Sequence, residues 1–420
     1  MRCKVWHIFL ILGLFWGGVK GQVSDYPHEM PTFPFIQYAQ NQLDWYGDSL
    51  PLRQFFKKLD QLIFRGTGKI NMVHIGGSHV QADVLSGRIR ERFTTLFPGN
   101  RGSRGLIFPF QLARTNNPPN YYVTHTGQWR AVKNVGRESD VPLGLTGMAV
   151  ITEEAGASMT IFLKRERYPA YDFNQIRIFH GRGEQRMKVT VAGGDSLGVR
   201  SIHHPEEGIT EFFLNTYVHA VTLQLEAADS LPGPFVLYGI QLENSDPGIT
   251  YHAIGVNGAG TYSYLRCAYF KDHLRELKPD VVIFGIGIND AAGYGFSPEA
   301  FQGNYRQLMG MVREVNPQAM MVLITNNDSF RRMRRGRYAV NPNGLVVRDA
   351  MRYLAQTEGC GVWDFFTVMG GLQSMAIWQS NGLAQADKVH FTPTGYRLMG
   401  DLMFSAILKS YEKHLLRHGQ

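Results

Sequence analysis

Apolar and polar positions along the chain fall into two rhythms. At 71–75 a β-prone run ends in Gly76-Gly77-Ser78. Val80, Val84, Leu85, Ile89, Phe93, Leu96 and Phe97 then recur at three- and four-residue steps, which predicts strand, tight turn and helix. Upstream, Leu52, Phe55, Phe56, Leu59, Leu62 and Ile63 predict a helix that starts near Ser49 and Pro51. The polar segment 38–45 before it reads as helical. After Asp246-Pro247 the same strand-and-helix rhythm returns. Strands are expected at 249–256, 281–284, 320–325 and 361–365. Helices are expected at 262–277, from Ser297-Pro298-Glu299 onward, at 345–356, and from Thr392-Pro393 to about Leu416. Alternation of this kind implies a parallel sheet with functional loops at the carboxyl ends of its strands.

From about 149 to 242 the rhythm changes. Short β-prone runs at 158–163, 175–179, 188–191, 210–214, 220–225 and 235–242 are separated by turn signals such as Gly181-Arg182-Gly183 and Gly193-Gly194-Asp195. Without helices between them, such runs predict an all-β sandwich. The organisation expected is therefore a signal peptide at 1–21, a Pro-rich lead-in and helix at 22–65, an α/β part at 66–110, an inserted β-sandwich at 111–245, and the second α/β part at 246–420.

The chain has 420 residues, enough for a large core and more than one domain. A hydrophobic content of 44% with 19% charged residues reads as globular. The formal charge of +8 is largely diffuse, which argues against nucleic acid as partner and leaves attraction to an anionic polymer open. At the N-terminus, Arg2 and Lys4 precede an apolar run at 5–15 and small or neutral residues before Gln22. This is the signature of a secretory signal peptide, with an uncleaved anchor as the runner-up. No later stretch is apolar and long enough to span a bilayer, so the expectation is an exported product, periplasmic or secreted, without stable membrane insertion. Beyond the leader, Cys267 and Cys360 are read as buried free thiols, one disulfide being the alternative.

The candidate chemistry centres on Ser78. A serine needs a base to take its proton, and Asp387-Lys388-Val389-His390 offers a histidine and an orienting carboxylate in one short loop. The N–H groups of Ser78 and Gly258 and the side chain of Asn289 are candidate donors to an oxyanion. Taken singly, Ser78 reads as a helix cap, Asp387 and His390 as surface loop residues, and Gly258 and Asn289 as turn residues. All of them fall at the ends of predicted strands or in the loops that follow, and that joint placement favours catalysis. Gly47-Asp48-Ser49-Leu50 is rejected as a nucleophile block because no strand precedes it. His79 is taken as a first-turn helix residue and not as a base. His203-His204 reads as a surface turn, not a metal site. Trp129 and Trp378 read as sugar platforms or as core anchors. The basic run 331–337 reads first as a solvated loop and second as a cleft rim facing an anionic glycan.

Four blocks in order, Gly76-Gly77-Ser78, Gly255-Val256-Asn257-Gly258, Gly287-Ile288-Asn289-Asp290 and Asp387-Lys388-Val389-His390, resemble the SGNH (GDSL-type) hydrolases. The resemblance covers about 66–110 and 246–415. It implies a flavodoxin-like three-layer α/β sandwich with a parallel sheet, interrupted here by the β insertion, and catalysis by Ser78, His390 and Asp387 with Ser78, Gly258 and Asn289 as oxyanion hole. The inserted sandwich resembles that of bacterial peptidoglycan O-acetylesterases, where it looks like a carbohydrate-binding module. One departure is Gly77, which stands where the family usually has an aspartate. The resemblance implies an exported serine esterase acting on an acylated polysaccharide, with no metal or organic cofactor. Two rival readings are a polysaccharide O-acetyltransferase using the same triad and an inactive glycan-binding protein.

Overall fold

The structure, a computed structural model, describes residues 30–166, 169–183, 187–228 and 233–418. The leader at 1–21 lies outside them. All the elements below belong to one compact unit, Thr32–Gln420. The parallel sheet and its helices run in the order β1 (Leu43–Trp45), α1 (Leu50–Arg65), β2 (Lys69–Gly76), α2 (Ser78–Gln81), α3 (Leu85–Thr94), β3 (Gly248–Gly255), α4 (Thr261–Leu265), α5 (Phe270–Glu276), β4 (Val281–Gly285), α6 (Pro298–Val315), β5 (Met320–Ile324), α7 (Asn343–Glu358), β6 (Gly361–Trp363) and α8 (Pro393–His418). Across the sheet the strands stand in the order β1-β6-β5-β4-β2-β3. β2 to β6 are mutually parallel. Counting only these five, the order read from β3 is 2-1-3-4-5, the flavodoxin-like arrangement. Its strand order reverses between β2 and β4, and ligands bind at such a switch point.

Successive side chains of a strand face opposite sides, and each side of this sheet has its own core. Val73, Ile75, Val282, Phe284, Met321 and Leu323 join one buried cluster with α4 to α7 and with the β-rich insertion. Ile70, Met72, Ile283 and Val322 are buried on the other side, where α1, α3 and α8 pack on the sheet and on one another. These are the three layers that the sequence reading expects.

The insertion is all antiparallel. One sheet carries Arg200–His204, Ile209–Val218, Phe173–His180, Phe235–Glu243, Met148–Thr152 and Arg130–Lys133 in that order, and Gly105–Ile107 also pairs with Phe235–Glu243. The other carries Tyr121–His125, Ser158–Leu163, Ala220–Ala227 and Met187–Val191. Met159, Val189, Leu223 and Leu225 of the second sheet face Ile178, Phe235 and Leu237 of the first.

Three local expectations are corrected. The segment 38–45 is not a helix. A 3-10 turn, Tyr38–Gln40, leads into β1, which pairs antiparallel with β6. Three residues are too few to show an alternating pattern, and the edge of β6 supplies the partner. The helix expected after Ser78 is broken at Asp83, whose φ of 49° is left-handed. The helix expected at 262–277 is two helices, broken where Tyr269 N–H donates to Leu143 O of the insertion at 3.0 Å.

The sheet brings α2 very close to the ends of β2 and β3. A Cβ on Gly255 would lie 2.2 Å from the Gln81 nitrogen and 2.7 Å from the Gly77 oxygen, both backbone atoms. Gly255→Ala is therefore expected to destabilise the fold by about 1–3 kcal/mol, read from urea unfolding.

Candidate active site

Ser78 lies at the start of α2, immediately beyond β2 and beside the switch point. The turn is closed by Val80 and Gln81 N–H groups donating to Gly77 O at 3.1 and 3.0 Å. The Ser78 hydroxyl is 2.8 Å from His390 Nε2, and His390 Nδ1 is 2.7 Å from Asp387 Oδ2. A carboxylate at Nδ1 fixes that nitrogen as the donor and leaves Nε2 to accept the serine proton. The other oxygen of Asp387 accepts from the N–H groups of Val389 and His390, each at 3.0 Å. Lys388, at φ 54°, makes this tight turn. Burial alone would raise the Asp387 pKa, but the His390 imidazole and these two N–H groups hold it below the ordinary carboxylate value. Asn327, buried beyond β5, donates to Val389 O at 3.1 Å and fastens the loop to the sheet.

The candidate oxyanion donors gather on the same rim. Asn289 Nδ2 donates to Ala259 O at 2.9 Å, and its second N–H stays available. A Cβ at Gly77 would stand 3.2 Å from that nitrogen and 3.3 Å from Ala259 O. The glycine thus leaves Asn289 Nδ2 clear, where a side chain would force it to shift by a few tenths of an ångström. Gly258 sits at φ +83°, a left-handed conformation that favours glycine. The N–H groups of Ser78 and Gly258 have no acceptor among the described residues. Asp290 binds Thr261 N–H with both carboxylate oxygens at 3.1 Å and the Thr261 hydroxyl at 2.6 Å. It ties the Gly258 turn to the Asn289 loop, and burial raises its pKa.

Several supporting residues carry no signal in the sequence reading. Buried Gln81 accepts from Asn257 N–H at 2.7 Å and donates to Thr115 Oγ1 and Asn116 Oδ1 at 3.1 and 2.9 Å. It thereby links the Ser78 turn, the Gly258 turn and the entry to the insertion. Asp83 is fully buried and receives Arg90 (3.0 and 3.1 Å), Arg104 (2.8 Å), Ser86 (2.6 Å) and Asn120 (2.7 Å). Burial opposes its ionisation, yet the two guanidinium groups hold its pKa far below the usual value. His79 is buried, bonded to Tyr396 OH at 2.6 Å, and lies against the His390 ring. Burial pushes its pKa down to about 3, so it is a neutral packing partner of His390.

The remaining sequence candidates lie elsewhere. Ser49 precedes α1, where Asp48 Oδ1 accepts the Leu50 N–H at 2.9 Å. His203 and His204 stand on a strand, not a turn, bonded to Thr210 and paired with Glu211. Trp378 is fully buried with its N–H on Met369 O, and Trp129 is half-buried against the sandwich core. Both are anchors. Cys267 and Cys360 are free and buried, and burial pushes each thiol up to about 12.

Residues 230–398 match the model of the GDSL-like lipase/acylhydrolase family. The match holds the Gly258, Asn289, Asp387 and His390 blocks, with Ser78 upstream of it. Among solved structures, one described as "Peptidoglycan O-acetylesterase in action, 5 min" superposes with a TM-score of 0.72 at 22% identity, covering 88% of this chain and 99% of that one. An acetyl xylan esterase gives a TM-score of 0.30 at 22% identity, covering 38% of this chain and 81% of its own. A GDSL-like lipase from Bacteroides thetaiotaomicron gives 0.30 at 18% identity, covering 38% and 76%. No curated protein is significantly similar to the chain.

A fluorophosphonate is expected to label Ser78, as mass spectrometry of the digested protein would locate, and His390→Ala should abolish the labelling. Asp83→Asn leaves Arg90 and Arg104 buried without a counter-charge and should cost about 3–5 kcal/mol at neutral pH, measured by urea unfolding. The Asp83 contribution is complete above about pH 4, the ordinary carboxylate range. It is lost as the pH falls toward the depressed folded-state value, so the two unfolding curves should converge in strong acid. The chain thus has the SGNH hydrolase fold, with three of its blocks at the ends of parallel strands and the fourth in the loop before α8, and its residues 230–398 match the GDSL-like lipase/acylhydrolase family.

Proposed function

We propose that the protein is an exported serine esterase that removes acetyl groups from an O-acetylated cell-envelope polysaccharide. The observation that carries this reading is the relay from Ser78 through His390 to Asp387, at 2.8 and 2.7 Å. Ser78 Oγ attacks the ester carbonyl while His390 Nε2 takes its proton. The tetrahedral oxyanion is held by the N–H groups of Ser78 and Gly258 and by Asn289 Nδ2. Collapse breaks the bond to the sugar oxygen, which leaves with the proton from His390. Water, deprotonated by His390, then attacks the acetyl-serine, and acetate leaves as the proton returns to Ser78. These residues close the cycle by themselves.

The substrate class is supported by two features. His390 and Asp387 side chains are 35% and 39% exposed, so the relay opens onto the surface and suits an acetyl group projecting from a polymer. The similarity to the peptidoglycan O-acetylesterase structure extends over nearly all of that chain, β-rich insertion included, which favours peptidoglycan among the glycans. No helix among the described residues is long and apolar enough to cross a membrane.

The test is acetate release from O-acetylated peptidoglycan and from acetylated plant polysaccharides. Release from peptidoglycan that disappears with Ser78→Ala is the expected result. Unchanged release by that variant would overturn the serine mechanism, and acetyl transfer to added glycan faster than acetate formation would make the protein a transferase. Asp387→Ala is expected to lower kcat by roughly 10³–10⁴-fold, measured on a small acetyl ester.

A further inference from the structure

Five arginines stand in the seven residues Arg331 to Arg337, and the stretch 329–348 holds six arginines and no carboxylate. It folds as a hairpin, with Phe330–Arg332 paired antiparallel to Tyr338–Val340 and Arg335 at φ 63° and Gly336 at φ 72° near its tip. The hairpin is fastened to both sides of the active site. On one side, Phe330 N–H donates to Lys388 O at 3.1 Å, inside the Asp387–His390 turn, and the Lys388 ammonium lies 4.8 Å from the Phe330 ring. On the other side, Arg331 donates to Gly293 O at 2.9 Å and lies 4.8 Å over the Tyr294 ring, while Asn341 Nδ2 donates to Ala291 O at 3.0 Å. These acceptors belong to the loop that begins with Asn289.

Arg331 is therefore committed to anchoring. The side chains of Arg332, Arg335 and Arg337 are exposed and make no hydrogen bond or ion pair among the described residues. Tyr294, 80% exposed, stands at the hairpin's foot and offers an aromatic face to a sugar ring. Like charges gathered on one short hairpin repel one another, and among the described residues no carboxylate pairs with Arg332, Arg335 or Arg337 to repay that repulsion. An anion that arrives with the substrate would. The guanidinium fork matches a carboxylate with two parallel N–H···O bonds.

Resting on the esterase reading above, we propose that this hairpin is a carboxylate-reading subsite on the rim of the active site. Arg332, Arg335 and Arg337 would then select an acetylated polymer that carries carboxylates along its length. Carboxylates of this kind come from peptide stems, as in peptidoglycan, or from uronic acids, as in acetylated pectin.

The experiment compares wild type with R332A/R335A/R337A on O-acetylated peptidoglycan, acetylated pectin, neutral acetylated glucomannan and 4-nitrophenyl acetate. Thermal melting checks that the variant folds. The ratio of kcat/KM on an anionic polymer to that on 4-nitrophenyl acetate is expected to fall about tenfold, through KM. Raising the salt from about 20 to about 500 mM should reduce the wild-type ratio in the same way, since screening removes the attraction. The triple lysine variant should keep the salt dependence. A loss on peptidoglycan alone assigns peptide carboxylates, a loss on pectin alone assigns uronates, and a loss on both assigns the shared chemistry. An equal loss on glucomannan, or no change in KM and salt response, would overturn the proposal. If the wild type cleaves no ester, the esterase reading fails separately. Co-sedimentation with insoluble peptidoglycan then decides the subsite: salt-sensitive retention lost in the triple alanine variant supports it, and retention unchanged overturns it.

Discussion

The site depends on how closely one turn of helix can approach two parallel strands. α2 begins two residues after β2 ends and crosses the end of β3, and the crossing leaves no space for a side chain at Gly255. A Cβ at Gly76 would meet Val80 Cγ2 at 2.3 Å and Gly285 O at 2.9 Å. The strand ends thus accept the turn only because they are bare. Everything chemical follows from that contact. It sets Ser78 at the switch point, it presents Gln81 to the Gly258 turn, and it aims the serine hydroxyl at a histidine delivered from the far end of the chain.

Around this contact polar ties add rigidity to the apolar packing of Val80, Phe391 and Tyr396. Gln81, Asp290 and Asn327 each join two loops that leave different strands. Buried polar groups that are fully paired act as stiff connectors, because breaking one costs the desolvation of both partners. The arrangement also suggests how the site tolerates Gly77. The aspartate usual in the family is absent, but Gly77 O is gripped by two N–H groups and its neighbour Asn289 is held by Ala259 O. The order of the turn comes from its surroundings.

Much of this was legible in the amino-acid sequence. Strand-and-helix alternation after Asp246, the short β-prone runs of the insertion, and the four sequence blocks each follow from periodicity or from the residue types that ester chemistry demands. What was illegible shares one property: its meaning lies in a distant partner. β1 is three residues long and becomes a strand because β6 offers an edge. The helix after Ser78 breaks at Asp83 because Arg90 and Arg104 hold that carboxylate. Gln81 looks like an ordinary helix residue and Asn327 like an ordinary loop residue until Asn257 and Val389 arrive beside them. Arg331 reads as one charge in a basic run, yet it is a structural bolt, and only the structure separates it from its exposed neighbours.

The insertion has a further consequence for how the chain acquires its shape. β2 lies next to the edge strand β3, and both of its neighbours, β3 and β4, come from beyond residue 247. Ser78 and His390 are 312 positions apart. Pairings at such separation pay their loop-closure entropy before they are rewarded, so they form late. A chain still being made holds Ser78 long before it holds His390. On the proposed mechanism, a product truncated anywhere before the Asp387–His390 loop would hold Ser78 without its partners and would not turn over an ester.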